Sequence, residues 1–288
     1  MNRILEKSRL SENVWRMKLE APRIARARRA GQFVILQVVP EYGERIPLTI
    51  ADADADAGWI EIVFQTVGAT TKLLSLKEPG EFLPAVTGPL GRPTAIADHS
   101  TPARRGWVVV VGGGIGVAPG HPIVQAFRAA GNRVTAIIGA RTKELVIMEE
   151  EMRRAADEVV VVTDDGSYGR KGLVTEPLKE FCQAEVPPDE VVVIGPPVMM
   201  KFAALTTRPF GVKTVASLNS IMIDGTGMCG GCRVTVGGET KFVCVDGPEF
   251  DAHQVDFDNF ISRLGSFKTE EAAHKCRSGL FGGKAVQS

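Results

Sequence analysis

The chain has 288 residues, which is longer than one ordinary domain and predicts two or three domains. Its 34 lysine and arginine residues are balanced by 34 aspartate and glutamate residues, which excludes a global positive field for binding nucleic acid or an anionic membrane. Hydrophobic residues make up 44% of the chain, which excludes a disordered protein. The 31 glycines are typical of proteins whose backbone approaches phosphate groups.

Targeting segments are not expected. Charges at Arg3, Glu6, Lys7 and Arg9 leave no room for the apolar core of a signal peptide. The longest uncharged stretch, Gly106–Phe127, has 22 residues but contains six glycines, so a buried strand with a turn and helix is a better interpretation than a membrane span. Five cysteines without a signal peptide predict a reducing cytoplasm, and the odd number argues against a disulfide framework.

Three regions follow one another along the chain. Residues 1–98 predict an all-β domain, because short apolar runs alternate with glycine, proline and aspartate. Residues 99–213 predict a doubly wound parallel α/β domain, because strands alternate with helices. The predicted strands there are Trp107–Val111, Val134–Ile138, Val159–Val162 and Val191–Ile194, and the predicted helices are Ile123–Ala130, Glu144–Ala156 and Thr175–Cys182. Residues 214–288, where cysteines and glycines cluster, form a third predicted domain.

The strongest chemical signal is the spacing D-x4-C-x2-C-x11-C. Its members are Asp224, Cys229, Cys232 and Cys244. Plant-type [2Fe–2S] sites use C-x4-C-x2-C followed by a distant cysteine, so Asp224 stands where the first cysteine would be. The flanking glycines favour a cluster, because backbone N–H groups must turn toward its sulfurs.

Alternatives to this interpretation stay open. A [2Fe–2S] cluster with Asp224 as an oxygen ligand accounts best for the spacing. A structural zinc ion accepts the same donors, and ordinary structural cysteines are the third possibility. Cys276 is another candidate for the fourth ligand, although the spacing favours Asp224.

A glycine-rich turn follows the first predicted parallel strand, at a place where backbone N–H groups can hold a pyrophosphate. Its candidate binding residues are Gly112, Gly113, Gly114, Ile115, Gly116, Ala118 and Pro119. Two later strands are followed by further turns, whose candidates are Asp165, Gly166, Gly195, Pro196 and Met199. All three turns lie at carboxyl ends of predicted strands, where open α/β sheets bind ligands.

The all-β region carries a second set of candidates. A basic or hydroxyl residue at a strand end, combined with a glycine and threonine turn, can hold a diphosphate. The candidates are Arg45, Pro47, Leu48, Thr49, Val63, Phe64, Gln65, Gly68, Thr70 and Thr71.

These motifs resemble those of the ferredoxin reductase-like flavoprotein family, in which a Greek-key flavin barrel precedes a nicotinamide-binding domain. Gly112–Pro119 resembles the GGGxGxAP motif, and Gly195–Met199 resembles the C-G-P-x-x-M motif with Ile194 in place of the cysteine. Pro47–Thr49 resembles the R-x-[YF]-[ST] flavin motif, with Arg45 one residue early and Leu48 in place of the aromatic residue.

The resemblance extends over nearly the whole chain and includes two branches of the family. One comprises the electron-transfer subunits of dihydroorotate dehydrogenase, whose cluster has four cysteine ligands. The other comprises the small subunits of NADH-dependent ferredoxin:NADP oxidoreductase, also called sulfide dehydrogenase, and the segment around Asp224 looks closer to this branch.

The second branch implies a cytoplasmic, electron-bifurcating enzyme that is a heterodimer with a large flavin and [4Fe–4S] subunit. It implies bound FAD and a [2Fe–2S] cluster, with hydride exchange between NAD(H) and FAD. No catalytic side chain is expected, because the cofactors carry the redox chemistry. The alternatives are a dihydroorotate dehydrogenase subunit and a zinc-stabilised nucleotide-binding module without redox activity.

Overall fold

The computed structural model describes residues 2–41 and 43–266. The N-terminal part is a seven-stranded antiparallel sheet in the order β6-β1-β2-β5-β4-β3-β7. Its strands are β1 (Asn2–Ser11), β2 (Val14–Glu20), β3 (Phe33–Gln37), β4 (Arg45–Asp54), β5 (Trp59–Gln65), β6 (Phe82–Leu83) and β7 (Ala85–Leu90), with helices α1 (Pro22–Ala27) and α2 (Ala69–Leu76). Only Pro84 separates the two edge strands along the chain, so the sheet curls into a nearly closed barrel.

The second sheet has the order β11-β10-β9-β8-β12-β13-β16 and is parallel except for its last strand. Its strands are β8 (Trp107–Gly113), β9 (Arg133–Ala140), β10 (Glu158–Thr163), β11 (Arg170–Lys171), β12 (Glu190–Ile194), β13 (Lys213–Ser217) and the later β16 (Glu249–Asp251). Its helices are α3 (Val117–Ala129), α4 (Glu149–Ala155), α5 (Thr175–Cys182) and α6 (Pro197–Thr207). The predicted doubly wound fold is confirmed.

Alternation along β8 explains why this sheet is covered on both faces. Val109 and Val111 belong to the hydrophobic core that contains α5 and α6 residues. Val108 and Val110 belong to the opposite core, with α3 and α4. Successive strand residues point to opposite faces, so a continuous run of valine is what a strand between two helical layers requires.

The C-terminal part adds the hairpin β14 (Arg233–Val236) and β15 (Glu239–Phe242), and the helices α7 (Val243–Asp246) and α8 (Phe257–Leu264). Phe257 and Phe260 of α8 lie in the same core as Val109 and Val111. The predicted division at residue 98 falls in a loop, and the division at residue 213 falls on the first residue of β13. The domain boundaries 1–98, 99–213 and 214–288 therefore stay a proposal.

Among the described residues, no helix combines the length and the hydropathy needed to span a membrane.

Candidate functional site

A cleft of about 1030 Å³ lies between the barrel and the carboxyl edge of the parallel sheet. Several predicted cofactor-binding residues line it: Pro47, Leu48, Thr49, Val63, Gln65, Gly113, Gly114, Ile115, Gly116, Pro119, Gly195, Pro196 and Met199. The two predicted binding sets, one on the barrel and one on the sheet, therefore face a single space. The candidates outside its lining are Arg45, Phe64, Gly68, Thr70, Thr71, Gly112, Ala118, Asp165 and Gly166.

The glycines of the turn after β8 have different roles. A Cβ atom at Gly113 would lie 2.3 Å from Met199 Sδ, and one at Gly116 would lie 2.2 Å from the Ile194 carbonyl oxygen. These two glycines therefore let the turn pack against the end of β12 and the start of α6. Gly114 has a φ of +55° and would place a Cβ in open space. The backbone at Gly114 can thus be approached by a phosphate group, which fits a nicotinamide dinucleotide.

The start of α2 provides a second place for phosphate groups. The Thr71 hydroxyl accepts hydrogen bonds from the backbone N–H groups of Gly68 (3.0 Å) and Val67 (3.1 Å), and so organises the first turn of α2. The Thr70 hydroxyl donates to the carboxylate of Glu44, the residue that precedes Arg45 in the chain. Free N–H groups at a helix start together with an arginine fit the diphosphate of FAD. Phe64 instead lies in the barrel core and is 1% exposed.

In the turn after β10, Asp164 lines the cleft, whereas the predicted binding residue was Asp165. Asp165 accepts hydrogen bonds from the backbone N–H and the hydroxyl of Ser167, and the first of these lowers the pKa of the Asp165 carboxyl. Asp165 and Gly166, with a φ of +76°, therefore shape the turn. The neighbouring Asp164 lines the cleft instead. An acid at the end of a parallel strand was the signal that could have identified it.

Further lining residues come from two segments that the sequence analysis missed. The hairpin between β1 and β2 contributes Ser11, Asn13 and Val14, and the segment after β13 contributes Ser217–Ser220. The second segment follows a parallel strand and could have been found by the rule used for the other turns. The hairpin carries no such signal, because only the docking of the barrel on the sheet brings it to the cleft.

The four predicted metal donors form two pairs. Cys232 Sγ and Cys244 Sγ are 3.2 Å apart and buried, whereas Cys229 Sγ lies 3.5 Å from Asp224 Oδ1 nearer the surface. Within the described ranges, no group of three or more such donors surrounds a single point. Two donors for each of two irons is the arrangement that a [2Fe–2S] cluster needs, whereas a zinc ion needs all its donors around one centre. The donor set therefore fits the cluster.

The segment Asp224–Cys232, the donor loop, holds the Asp224 carboxylate in place through hydrogen bonds. The carboxylate accepts backbone N–H bonds from Thr226 (3.1 Å), Met228 (3.1 Å) and Cys229 (3.0 Å). The bond from Thr226 contributes most to lowering the pKa of Asp224 below its ordinary value, so the group is an anion at neutral pH. These three hydrogen bonds are compatible with Asp224 as a turn residue and with Asp224 as an iron ligand. Residues with left-handed backbone let the loop wrap in this way: Gly225, Gly227 and Gly230.

Burial raises the pKa of the Cys244 thiol to about 12. Coordination to a metal cation would favour the thiolate form of this group at neutral pH. Cys276, the other candidate for a fourth ligand, lies outside the described residues.

Comparison with known families identifies two parts of the chain. Residues 219–256 match the iron–sulfur cluster binding domain of dihydroorotate dehydrogenase B. Residues 110–204 match the oxidoreductase NAD-binding domain. The first match contains all four predicted donors, and the second contains the glycine-rich turn.

Similar proteins cover nearly all of the chain. A dihydroorotate dehydrogenase B (NAD(+)) electron transfer subunit homolog from Thermotoga maritima is 45% identical over 271 residues, which are 94% of this chain and 93% of the relative. The corresponding electron transfer subunit of Geobacillus thermodenitrificans is 34% identical over 257 residues, covering 88% and 96%. A chain of an NADH-dependent reduced ferredoxin-NADP oxidoreductase, solved to study flavin-based electron bifurcation, superimposes with a TM-score of 0.88 at 43% identity, covering 95% and 96%.

Proposed function

The chain belongs to the family of dihydroorotate dehydrogenase B electron transfer subunits and their ferredoxin reductase-like relatives, and on that basis we propose that it is the NAD(H)-reacting subunit of an electron-bifurcating NADH-dependent ferredoxin:NADP oxidoreductase. FAD, a [2Fe–2S] cluster and NAD(H) are its cofactors. When bound, the flavin exchanges a hydride with NAD(H) and single electrons with the cluster. The observation that carries the proposal is that the donor loop packs on barrel strand β3, which also lines the cleft.

Contacts between the donor loop and the barrel support this placement. A Cβ atom at Gly225 would lie 2.8 Å from Leu90 Cδ1 and 2.9 Å from Ile35 Cγ1, so the loop packs on β7 and β3. On the same strand as Ile35, Phe33 lines the cleft. The cleft and the donor loop therefore share a barrel strand, which keeps the path between their bound groups short.

The acid at the far side of the sheet supports NAD(H) over NADP(H). Asp164 directly follows β10 and lines the cleft together with Arg141, which follows β9. In dinucleotide-binding sheets, an acid after the second strand accepts a hydrogen bond from the ribose 2′-hydroxyl. Arg141 holds that position here, and the charge of Asp164, after the adjacent strand, would repel a 2′-phosphate. We assign this role to Asp164.

The solvent face of the donor loop supports docking of a large partner subunit. Met228 is 88% exposed and Ile223 55%; Ile223 directly precedes Asp224, and Met228 directly precedes Cys229. Val245 completes the patch, since a Cβ atom at Gly227 would lie 3.2 Å from its Cγ2. Apolar side chains gathered on a surface mark a protein interface. The relatives are electron transfer subunits, so the occupant proposed for this patch is the large flavin and iron–sulfur subunit.

A second candidate function is the electron transfer subunit of a dihydroorotate dehydrogenase. The match of residues 219–256 to the cluster-binding domain of that enzyme favours it. Asp224 argues for the first candidate, because the resemblance implies four cysteine ligands in the second.

Purification of the native complex tests the proposal. The expected result is a brown-yellow heterodimer that contains FAD and a [2Fe–2S] signal, with a large iron–sulfur flavoprotein identified by mass spectrometry. NADH should reduce the flavin, and NADH together with reduced ferredoxin should supply the electrons that reduce NADP in the complex. A partner that binds orotate would favour the second candidate, and a colourless complex would contradict both.

A further inference from the structure

Two hydroxyl groups in the cleft have no hydrogen-bond partner within the part of the chain that the structure describes. Buried side-chain atoms without a hydrogen-bond partner there include Ser11 Oγ, His121 Nδ1 and Ser220 Oγ. Ser11 and Ser220 line the cleft. A buried hydroxyl that gives up water without gaining a partner costs free energy. A molecule bound in the cleft would supply the missing partner.

Ser220 lies on the segment Ser217–Met222, which joins β13 to the donor loop. The residue is 7% exposed, and its neighbours in the segment also line the cleft. The segment contacts the donor loop as well, since a Cβ atom at Gly231 would lie 3.9 Å from the Ile221 carbonyl oxygen. Ser220 is therefore placed in a wall that the cleft and the donor loop share.

We propose that the Ser220 hydroxyl forms a hydrogen bond with the polar edge of the bound flavin ring. This inference rests on the proposed function, because it needs FAD in the cleft. A flavin ring presents carbonyl oxygens and ring nitrogens, which are suitable partners for a serine hydroxyl. A protein hydrogen bond to the ring tunes its electronic properties. Ser220 makes this contact from the wall that faces the cluster donors, whereas Ser11 belongs to the barrel hairpin.

The carboxamide of nicotinamide could pair with a hydroxyl through the same chemistry. The flavin ring and the nicotinamide can be distinguished as partners of the hydroxyl. A contact with the flavin exists in the FAD-bound protein without nucleotide, whereas a contact with nicotinamide exists only after NAD(H) binds. The spectrum and affinity of FAD, measured without NAD(H), therefore separate them.

The test compares Ser220→Ala, Ser220→Thr and the control Ser262→Ala in the full chain. Ser262 is an exposed serine of α8 that does not line the cleft and has no orphaned buried hydroxyl. Ser220→Ala should weaken FAD binding about threefold to tenfold and shift the visible flavin spectrum. The apoprotein of this variant should melt at the wild-type temperature or higher, because an unpaired buried hydroxyl has been removed. Ser220→Thr and Ser262→Ala should stay close to wild type.

Wild-type FAD affinity and spectrum in Ser220→Ala would overturn the inference. A change confined to NADH affinity would overturn it in favour of the nicotinamide. A destabilised Ser220→Ala apoprotein would show a structural role instead. A wild-type chain that binds no FAD would contradict the proposed function itself.

Discussion

Asp224 combines two properties in one side chain, because it organises the donor loop and stands beside Cys229 as a potential iron ligand. We expect Asp224→Asn to affect them unequally, since its single amide oxygen can keep the bonds from Met228 and Cys229 but not the bond from Thr226 to the other oxygen, and it lacks the negative charge that favours iron. The variant should lose the cluster or hold it weakly. Asp224→Cys should keep the cluster, with a potential shifted on the order of tens of millivolts. Electron paramagnetic resonance and redox titration measure both effects.

The matched control is Asp246→Asn. Asp246 also accepts a backbone bond near a donor, from Phe242 N–H at 2.7 Å, but it is not a predicted ligand. A wild-type signal in Asp224→Asn would leave Asp224 with the turn role alone. Cys276 would then be the remaining candidate for the fourth cluster ligand.

Gly114 allows a test of the open backbone at the nucleotide site. Gly114→Ala should lower NADH affinity about tenfold or more, because the added Cβ occupies the space that the pyrophosphate needs. Gly211→Ala is the control, since Gly211 has a similar φ of +64° and also faces open space but does not line the cleft. Both variants should lose about 1 kcal/mol of stability from left-handed strain. Stopped-flow reduction of the flavin by NADH measures the difference, and equal affinities in the two variants would contradict the assignment.

Asp164 and Asp165 form a natural pair for testing nucleotide preference. Asp164→Asn should reduce the preference for NADH over NADPH about tenfold or more, because the charge that repels a 2′-phosphate is removed. Asp165→Asn should affect only the stability of its turn, since that carboxylate bonds to Ser167. Steady-state kinetics with both nucleotides gives the ratio. An unchanged ratio in Asp164→Asn would place the determinant elsewhere, with Arg141 the next residue to test.

At the scale of elements, β16 binds the C-terminal part to the rest of the molecule through Glu249. Its carboxylate accepts a hydrogen bond from the Thr94 hydroxyl at 2.6 Å, and a Cβ atom at Gly31 of the barrel would lie 2.9 Å from it. Burial raises the pKa of Glu249 from 4.5 to about 7. The native state therefore holds a proton that the unfolded state releases between these two pH values.

The stability contributed by this group should fall as pH rises from about 4.5 to about 7, because the native state binds more protons than the unfolded state in that window. The limiting slope is about 1.4 kcal/mol per pH unit. Glu249→Gln should remove this contribution, whereas Glu239→Gln, an exposed change on β15, should not. Urea unfolding at pH 5 and pH 7 measures it. A wild-type pH dependence in Glu249→Gln would show that the carboxyl is ionised in the native state.

The elements themselves were predictable to different degrees. The helix Thr175–Cys182 and the buried strand from Trp107 agree with the structure because their periodicity is strong. The helix predicted over Glu144–Ala156 is a short 3-10 turn followed by α4, with Met148 in a left-handed conformation between them that the sequence pattern does not reveal. Helix α6 was missed because Pro196 and Pro197 look like a loop, although proline is well suited to the first turn of a helix.

At the scale of the whole molecule, the metal donors could be predicted from sequence spacing, whereas the lining of the cleft depends on how the barrel and the sheet pack together. The cluster donors could be identified from spacing, because all of them lie within 21 residues of sequence. The hairpin residues Ser11 and Asn13 could not, because their position depends on how the barrel docks on the sheet. The orphaned hydroxyl of Ser220 is likewise a property of the packed molecule and not of any motif.

The proposed docking surface of Met228, Ile223 and Val245 is testable in the complex. Met228→Asp should weaken binding of the large subunit about tenfold or more, because a charge would be buried in an apolar contact. The cofactors of this subunit should remain bound. Val186→Asp is the control, since Val186 is 46% exposed and precedes β12, at the opposite end of that strand from the cleft. Size-exclusion chromatography with titrated subunits measures the change, and an intact complex in Met228→Asp would place the interface elsewhere.

Helix α8 and strand β8 contribute to one hydrophobic core, although almost 150 residues of sequence lie between them. The segment that carries the metal donors is therefore not an independent domain that could be exchanged with that of another protein. Removing the segment would expose the apolar face of the nucleotide-binding sheet to water. Any replacement segment would therefore have to cover the same face.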